Sequence, residues 1–548
     1  MRKRFRNYLR SIRAKYVIGI DYGTLSARAL LLHADDGKEI AISEFVYPHA
    51  VMSEKDISGK PEKPTTALQH PQDYLDALSF TVKDVLKKSG VSANDVCGIG
   101  IDFTSCTVLP TDINGVPLCF YDRFKEKENA YVKLWKHHGA NDQAERMTEI
   151  AKQTKQGWLE DYGGKVSSEW LFPKLFETAE CSPTVYDSTA LFLEAGDWLT
   201  YILTGNLVRS SCMAGFKALW SADGGYPSQD YLEKVNPIFK TALQKVKGRV
   251  LPVCEKAGEL NDKGALLTGL NNGTVVAVPV IDAHVALPSA GVTDDGGLLI
   301  IMGTSACHIV LSEKDKKIKG ICGKVKDGVA KGYFAYEAGQ AGFGDILDWF
   351  INNWVTQEYF EQAKNQGVNI FDYLNQKASL LAMGKNSVLV LDWWNGNRTP
   401  YADYSLSGAV FGLNLKTKPE EIYYAIITAL AYGTKRIIQT YENSGVAVNT
   451  VTASGGIAVK NHFFMQVFAD VLGKEISVVD SKQAGAKGSA IYASVASGLF
   501  PSLKESAKVL GDKCYKKVVP NLENTKLYDK QYDRYVEISE FFASKKLQ

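Results

Sequence analysis

The sequence predicts an α/β protein of two domains, and three observations predict it. Apolar strand patterns alternate with helix patterns along the chain. At 548 residues the chain is longer than one hydrophobic core usually supports. One strand-turn-strand design also occurs twice, as IGIDYGTLSARALLL at 18 to 32 and as LLIIMGTSACHIVL at 298 to 311.

Each copy runs an apolar strand into a Gly-Thr turn and returns along a second apolar strand. Small residues and free backbone N–H groups are thereby placed at the tip, where they suit phosphate oxygens, because glycine permits close approach. A single such tip is more often an ordinary tight turn. Two of them, facing each other from two halves, match the actin-like, ribonuclease-H-like arrangement with a nucleotide cleft between the domains.

The elements follow in order. Residues 1–15, MRKRFRNYLRSIRAK, carry seven basic and no acidic side chains with no apolar stretch behind them, so they read as a solvated extension and not as a signal peptide. After the first hairpin, DDGK at 35–38 turns the chain into a third strand, EIAISEFVY. HPQDYLDALSFTVKDVLKKSG predicts a helix stopped by Gly90. VCGIGIDFTSCTVLPTD reads as one strand buried on both faces. Residues 125–180 predict a mostly helical insertion with aromatic anchors in AYVKLWKHH and SSEWLFPKLFE. TVVAVPVIDAHVALPSAGVTDDGG closes a first domain, 16–290, and a second, 291–548, repeats the order: hairpin, the strand YFAYEAG, long helices, then VNTVTAS leading into SGGIAVKNHFFMQVFADVLG. Beyond about residue 500 the pattern is charged and helical, without a motif.

Composition narrows the function classes. With 63 basic against 61 acidic side chains the net charge is +2, which gives no reason to expect nucleic acid as a partner. No apolar run reaches membrane-spanning length, so no membrane is expected either. The nine cysteines are scattered without a CxxC pair, as in proteins of a reducing compartment, and the expected location is cytoplasmic. Assembly state stays open, a homodimer included.

The strings IDFTSCTVLP, AYVKLWKHH, YGGKVSSEW, IDAHV, MGTSACH, YEAGQ, DWWNGNR and SGGIAVKNHFFMQ resemble the FGGY carbohydrate kinases, and within them the ribulokinase branch. The likeness runs from Tyr16 to about Gly498. It implies ATP-dependent phosphorylation of a ketopentose, L-ribulose to L-ribulose 5-phosphate in arabinose breakdown, with ATP and Mg²⁺ bound in the cleft.

Phosphoryl transfer needs two oxygens held in line, neutralised phosphate charge and a base for the attacking hydroxyl. In the first tip Asp21 suits the Mg²⁺ shell, through water, since Mg²⁺ takes few carboxylates and keeps waters. Thr24 and Ser26 offer donors to phosphate, and Arg28 resembles the family's tip arginine. Gly303, Thr304 and Ser305 do the same from the second tip. Asp282 matches the family's general base, and its apolar approach VVAVPVI suggests a partly desolvated, more basic carboxyl. His284 reads as a packed, hydrogen-bonded core histidine.

Lys217, Glu337, Ser105 and Trp135 match substrate-side positions in ribulokinase-like sequences, with helix packing an equal reading for Trp135. Glycerol kinases place an Arg-Glu pair where this chain has Ser105 and Cys106, and the small residues leave room for a five-carbon chain. Ribulokinases commonly carry alanine at 105, so the serine is a departure that bears on epimer preference. Gly455, Gly456 and Asn461 carry the adenosine end, where two glycines let backbone approach ribose and phosphate and Asn461 caps a helix or meets adenine. Gly344 resembles a further position near the nucleotide. An actin-like ATPase would share both tips yet lack the sugar-side lysine and carboxylate. A non-catalytic sugar-binding regulator would have lost Asp21 or Asp282. Within the kinases, D-ribulose, xylulose or ribitol are the alternative substrates.

Overall fold

A computed structural model describes residues 14–53, 65–381 and 387–545. Most of the basic extension, residues 1–13, therefore lies outside the described residues. Two seven-stranded sheets dominate, and they are built alike. In the first, Tyr16–Tyr22 pairs antiparallel with Ser26–His33, which pairs with Glu39–Val46. On its other edge Tyr16–Tyr22 pairs parallel with Val96–Phe103, setting Asp21 beside Asp102. The second sheet repeats this arrangement. Gly297–Met302 pairs antiparallel with Ala306–Ser312, which pairs with Phe334–Gln340, while Thr450–Ser454 lies parallel on the other edge. Both glycine-threonine turns thus stand at the end of a central strand.

Local chemistry accounts for the helix boundaries. The helix Pro71–Ser89 begins at Pro71, is capped by His70, whose Nδ1 accepts from the Gln72 amide, and ends at Gly90 with φ of 68°. The pattern VCGIGIDFTSCTVLPTD does not form one strand. It divides into Val96–Phe103 in the large sheet and Val108–Thr111 in a separate four-stranded sheet. The break falls where Cys106 takes φ of 56°, a left-handed conformation that no strand accommodates. Residues 125–180 are less uniformly helical than the pattern suggests. Val132–Lys133 is a strand, and Trp135 follows it in a turn, so simple helix packing does not describe Trp135. The helices Asn141–Gln153 and Leu171–Cys181 follow, packed with residues up to Val246 around a small core of their own that includes Met147, Trp170, Phe176 and Phe239.

Beyond residue 500 the chain is not helix alone. Cys514–Val518 adds an edge strand to the second sheet before the helix Leu522–Lys545. The helix Ala484–Ala496 crosses back to lie on the first sheet. Its approach requires glycine in the strands beneath it. A Cβ on Gly19 would sit 1.7 Å from the Ala486 carbonyl oxygen, and one on Gly100 would sit 2.0 Å from that of Ser489. Among the described residues no helix is long and apolar enough to cross a membrane, and all nine cysteines are free thiols.

Candidate active site

The first tip is closed by the Gly23 amide donating to the Ser26 carbonyl at 3.0 Å. Thr24 is held from two sides: Trp135 Nε1 donates to its hydroxyl at 3.1 Å and Gln69 Nε2 to its carbonyl at 2.6 Å. Trp135 therefore ties the insertion to the first tip. The side chains of Ser26 and Arg28 are turned to the neighbouring strand, where both donate to Glu44, at 2.9 and 2.7 Å. The second tip has the same closure, with the Gly303 amide donating to the Ser305 carbonyl at 3.0 Å.

Gly344 and Gly455 converge on that second tip. The Gly344 amide donates to the Gly303 carbonyl at 3.0 Å, and a Cβ at 344 would lie 2.7 Å from the same oxygen. Gly455 has φ of 105°, and a Cβ there would meet the Met302 carbonyl at 2.3 Å. Gly456 opens the next helix with free space above it. Asn461 caps the helix His462–Leu472, its Oδ1 accepting from the Phe464 amide at 3.0 Å.

Between the sheets lies a cleft of about 640 Å³. Ser105, Trp135, Lys217 and Asp282 line it from the first half, and Ser305 and Glu337 from the second. The break in the predicted strand is what exposes Ser105 there. Lys217 ends the helix Ser211–Lys217, and its ammonium meets Glu337 Oε2 at 3.3 Å across the cleft. His284 is buried, with Nε2 3.0 Å from the same oxygen and Nδ1 3.2 Å from Cys212 Sγ. With Glu337 ionised, His284 donates from Nε2 and accepts the Cys212 thiol proton at Nδ1. Burial opposes the charge on Glu337, yet Lys217 and His284 hold its carboxyl well below the usual range. His284 is thus a packed histidine that positions Glu337.

Asp282 starts the helix Asp282–Ser289, with Oδ1 accepting from the Ala283 amide at 2.8 Å. Burial, reinforced by the charge of Asp21, pushes its carboxyl up to about 7. Asp21 is raised as well, by burial. Sequence reasoning missed Asp102, which is wholly buried beside Asp21 and accepts from Ser489 Oγ at 2.7 Å. Burial, followed by the charge of the neighbouring Asp21, raises Asp102 well above the usual carboxylate value. It also missed Arg398 and Tyr404 on the cleft wall, although the first lies in the DWWNGNR string.

The arrangement offers a desolvated carboxyl raised to about 7, two amide-bearing tips, a buried aspartate at the base of the first tip and a crossed lysine-glutamate pair. Chemically this suits deprotonation of a polyhydroxylated acceptor beside a bound phosphate chain. Residues 16–287 match the family model of the N-terminal domain of the FGGY family of carbohydrate kinases, and residues 298–497 that of its C-terminal domain. The chain is 43% identical over 545 residues to a ribulokinase of Halalkalibacterium halodurans, covering 96% of this chain and 95% of that one. It is 44% identical over 528 residues to a ribulokinase of Bacillus licheniformis, covering 95% of each. Among solved structures, a xylulose kinase from Rhodospirillum rubrum superposes with a TM-score of 0.81 at 20% identity, over 97% of this chain and all of that one. A Plasmodium falciparum glycerol kinase with ADP gives 0.76 at 15% identity, over 96% and 98% of the two chains. At such identities the structural likeness speaks for the fold.

Proposed function

The chain belongs to the FGGY family of carbohydrate kinases, and from that premise we propose that it transfers the γ-phosphoryl group of ATP to the terminal hydroxyl of L-ribulose, giving L-ribulose 5-phosphate and ADP. The observation that carries this reading is the placement of Asp282, raised to about 7, in one cleft with the Lys217–Glu337 pair and the second tip. Asp282 accepts the proton of the C5 hydroxyl as that oxygen bonds to the γ-phosphorus and the bond to the β-γ bridging oxygen breaks. Lys217 donates to sugar hydroxyls and Glu337 accepts from them, which fixes one orientation of the chain. Trp135, held by Thr24, closes one side, and Ser105 adds a single hydroxyl bearing on epimer choice.

The amides around Gly23–Thr24 and Gly303–Ser305 receive phosphate oxygens, while Gly344, Gly455, Gly456 and Asn461 border the nucleoside. Asp21 fits a divalent cation, because it presents hard carboxylate oxygen and stands beside a second buried carboxyl, Asp102, where a cation would offset the burial that raises both. Bound Mg²⁺ would neutralise the phosphate chain there. Coupled ADP release is to be measured with L-ribulose, D-ribulose, both xyluloses, ribitol and glycerol. Turnover is expected to be fastest with L-ribulose and negligible with glycerol. ADP release as fast without sugar as with it would sink the reading.

A further inference from the structure

Lys174 is a wholly buried cation outside the lining of the cleft. It stands near the start of the helix Leu171–Cys181, an end whose dipole disfavours positive charge. Among the described residues no carboxylate oxygen lies within 4 Å of its ammonium. Glu177, one turn further on, gives its carboxylate to Lys133 and His137 instead. What the ammonium of Lys174 meets is backbone: it donates to the Cys106 carbonyl at 2.6 Å and to the Leu134 carbonyl at 2.8 Å. A buried charge held by two carbonyls is expensive, and an apolar side chain of the same length would fill the space at less cost.

Those two carbonyls belong to neighbours of cleft-lining residues. Cys106 follows Ser105, and Leu134 precedes Trp135. The strands behind them, Val108–Thr111 and Val132–Lys133, share one antiparallel pair, Val108 with Lys133. Continued toward the cleft, that register would set Thr107 opposite Leu134 and Cys106 opposite Trp135. The ladder stops instead, because Cys106 is left-handed at φ of 56° and Trp135 sits in a turn. A residue other than glycine keeps such a φ only where its surroundings hold it there. Within the turn the Thr104 and Thr107 hydroxyls lie 2.7 Å apart, and Lys174 bridges the two segments where the next rungs would be.

We propose that Lys174 is a positioning residue for the acceptor: its ammonium clamps the Ser105–Cys106 turn to the Leu134–Trp135 turn and so fixes the spacing of the two side chains on that wall of the cleft. It acts through the Ser105 hydroxyl and the Trp135 ring, and the inference therefore rests on the ketopentose reading of the space they border. The phosphate tips do not depend on it, since each is closed by its own backbone bond, Gly23 to Ser26 and Gly303 to Ser305. Trp135 also donates to the Thr24 hydroxyl, but Gln69 holds the Thr24 carbonyl independently. Burial lowers the ammonium to about 8, and a neutral amine still has two N–H groups for two carbonyls, so the clamp survives loss of the proton.

The test compares the parent protein with Lys174→Met, Lys174→Gln and Lys174→Arg, reading kcat, KM for L-ribulose and D-ribulose, and KM for ATP. Methionine has nearly the same length and no donor. Lys174→Met should lower kcat/KM for L-ribulose roughly 10- to 100-fold, the scale of a displaced positioning group, mostly through KM and with KM for ATP unchanged. The preference between the two ribuloses should narrow with it. Lys174→Gln, shorter but still a donor, should fall between, and Lys174→Arg, which keeps charge and donors, should recover most of the loss. A second readout is coupling. The effects of Lys174→Met and Trp135→Phe on KM for L-ribulose should fall short of their product in the double variant, because the clamp acts through that ring. Thermal melting reports folding, and if the methionine variant does not melt cooperatively the glutamine and arginine variants decide on the same readouts. A lowered melting temperature with the ketose KM unchanged overturns the proposal, as do equal weakening of ketose and ATP or strict independence from Trp135→Phe. A parent that phosphorylates no ketopentose would instead strike the reading of the cleft, and the proposal with it.

Discussion

Replacing Asp282 with asparagine separates its catalytic role from its cost to the fold. The substitution keeps the shape of the side chain and its bond to the Ala283 amide, but it removes the proton acceptor. A positioned base contributes about 10²–10⁴ in rate, so kcat for L-ribulose should fall by that factor while both substrates still bind. Stability should move the other way. The folded carboxyl keeps its proton up to about pH 7, whereas its ordinary value is 3.8. The native state's advantage from this group is thus complete below about pH 4 and is lost as pH rises through about 7. Since tenfold in a protonation equilibrium is worth ~1.4 kcal/mol, ionised Asp282 strains the native state by about 4 kcal/mol at pH 8. Asparagine carries no such strain. Denaturant unfolding without nucleotide should therefore show the variant equal to the parent near pH 4 and markedly more stable at pH 8. Coupled ADP release supplies the rate. Turnover within a few-fold of the parent, or parallel stability curves across that pH range, would refute the assignment.

Three further outcomes follow from the same geometry. Thr304→Val should raise KM for ATP with little effect on ketose binding, on the proposal that the second tip receives phosphate; equal weakening of both in steady-state assays would remove the tip from the nucleotide. Lys217→Ala and Glu337→Ala should each lower kcat/KM for ribulose by roughly 1.5–3 kcal/mol while leaving the slow, sugar-free ATP hydrolysis unchanged, and intact ribulose turnover in both would end the sugar-side assignment. Gly100→Ala should cost upward of about 3 kcal/mol in urea unfolding, since its Cβ would fall 2.0 Å from the Ser489 carbonyl and the helix must be displaced; a variant as stable as the parent would show that the helix is not seated there.

The duplicated hairpins were legible because two local signals coincide in them, near-continuous apolar strands and a small-residue turn. The cap at Gly90 was legible for the same reason. Where the reading failed, the cause was non-local. The run from Val96 to Thr111 is buried almost throughout, and nothing in its periodicity marks the left-handed Cys106 that sends Val108–Thr111 into another sheet. Asp102 sits inside that run, and only the parallel register with Tyr16–Tyr22 makes it a partner of Asp21. A signal for the crossing helix was present: small residues in AGAKGSAIYAS and glycines at 98 and 100 in the facing strand, two complementary smooth surfaces. Their pairing across nearly 400 residues needed the fold. Arg398 was visible within a quoted string, but its place on the cleft wall needed the fold.

The helix Ala484–Ala496 on the first sheet has a consequence for how the polypeptide is made. Its seat, including Gly19, Gly98 and Gly100, leaves the ribosome long before the helix that fills it. At ordinary elongation speeds the interval between Phe103 and Ala484 lasts roughly 20–80 s. Throughout that time the emerging first half carries an uncovered, glycine-smoothed apolar face. The amino-terminal half is therefore not a finished unit awaiting its neighbour. The chain is laced shut from its far end, and cutting the gene at the apparent boundary would yield two fragments each missing a layer.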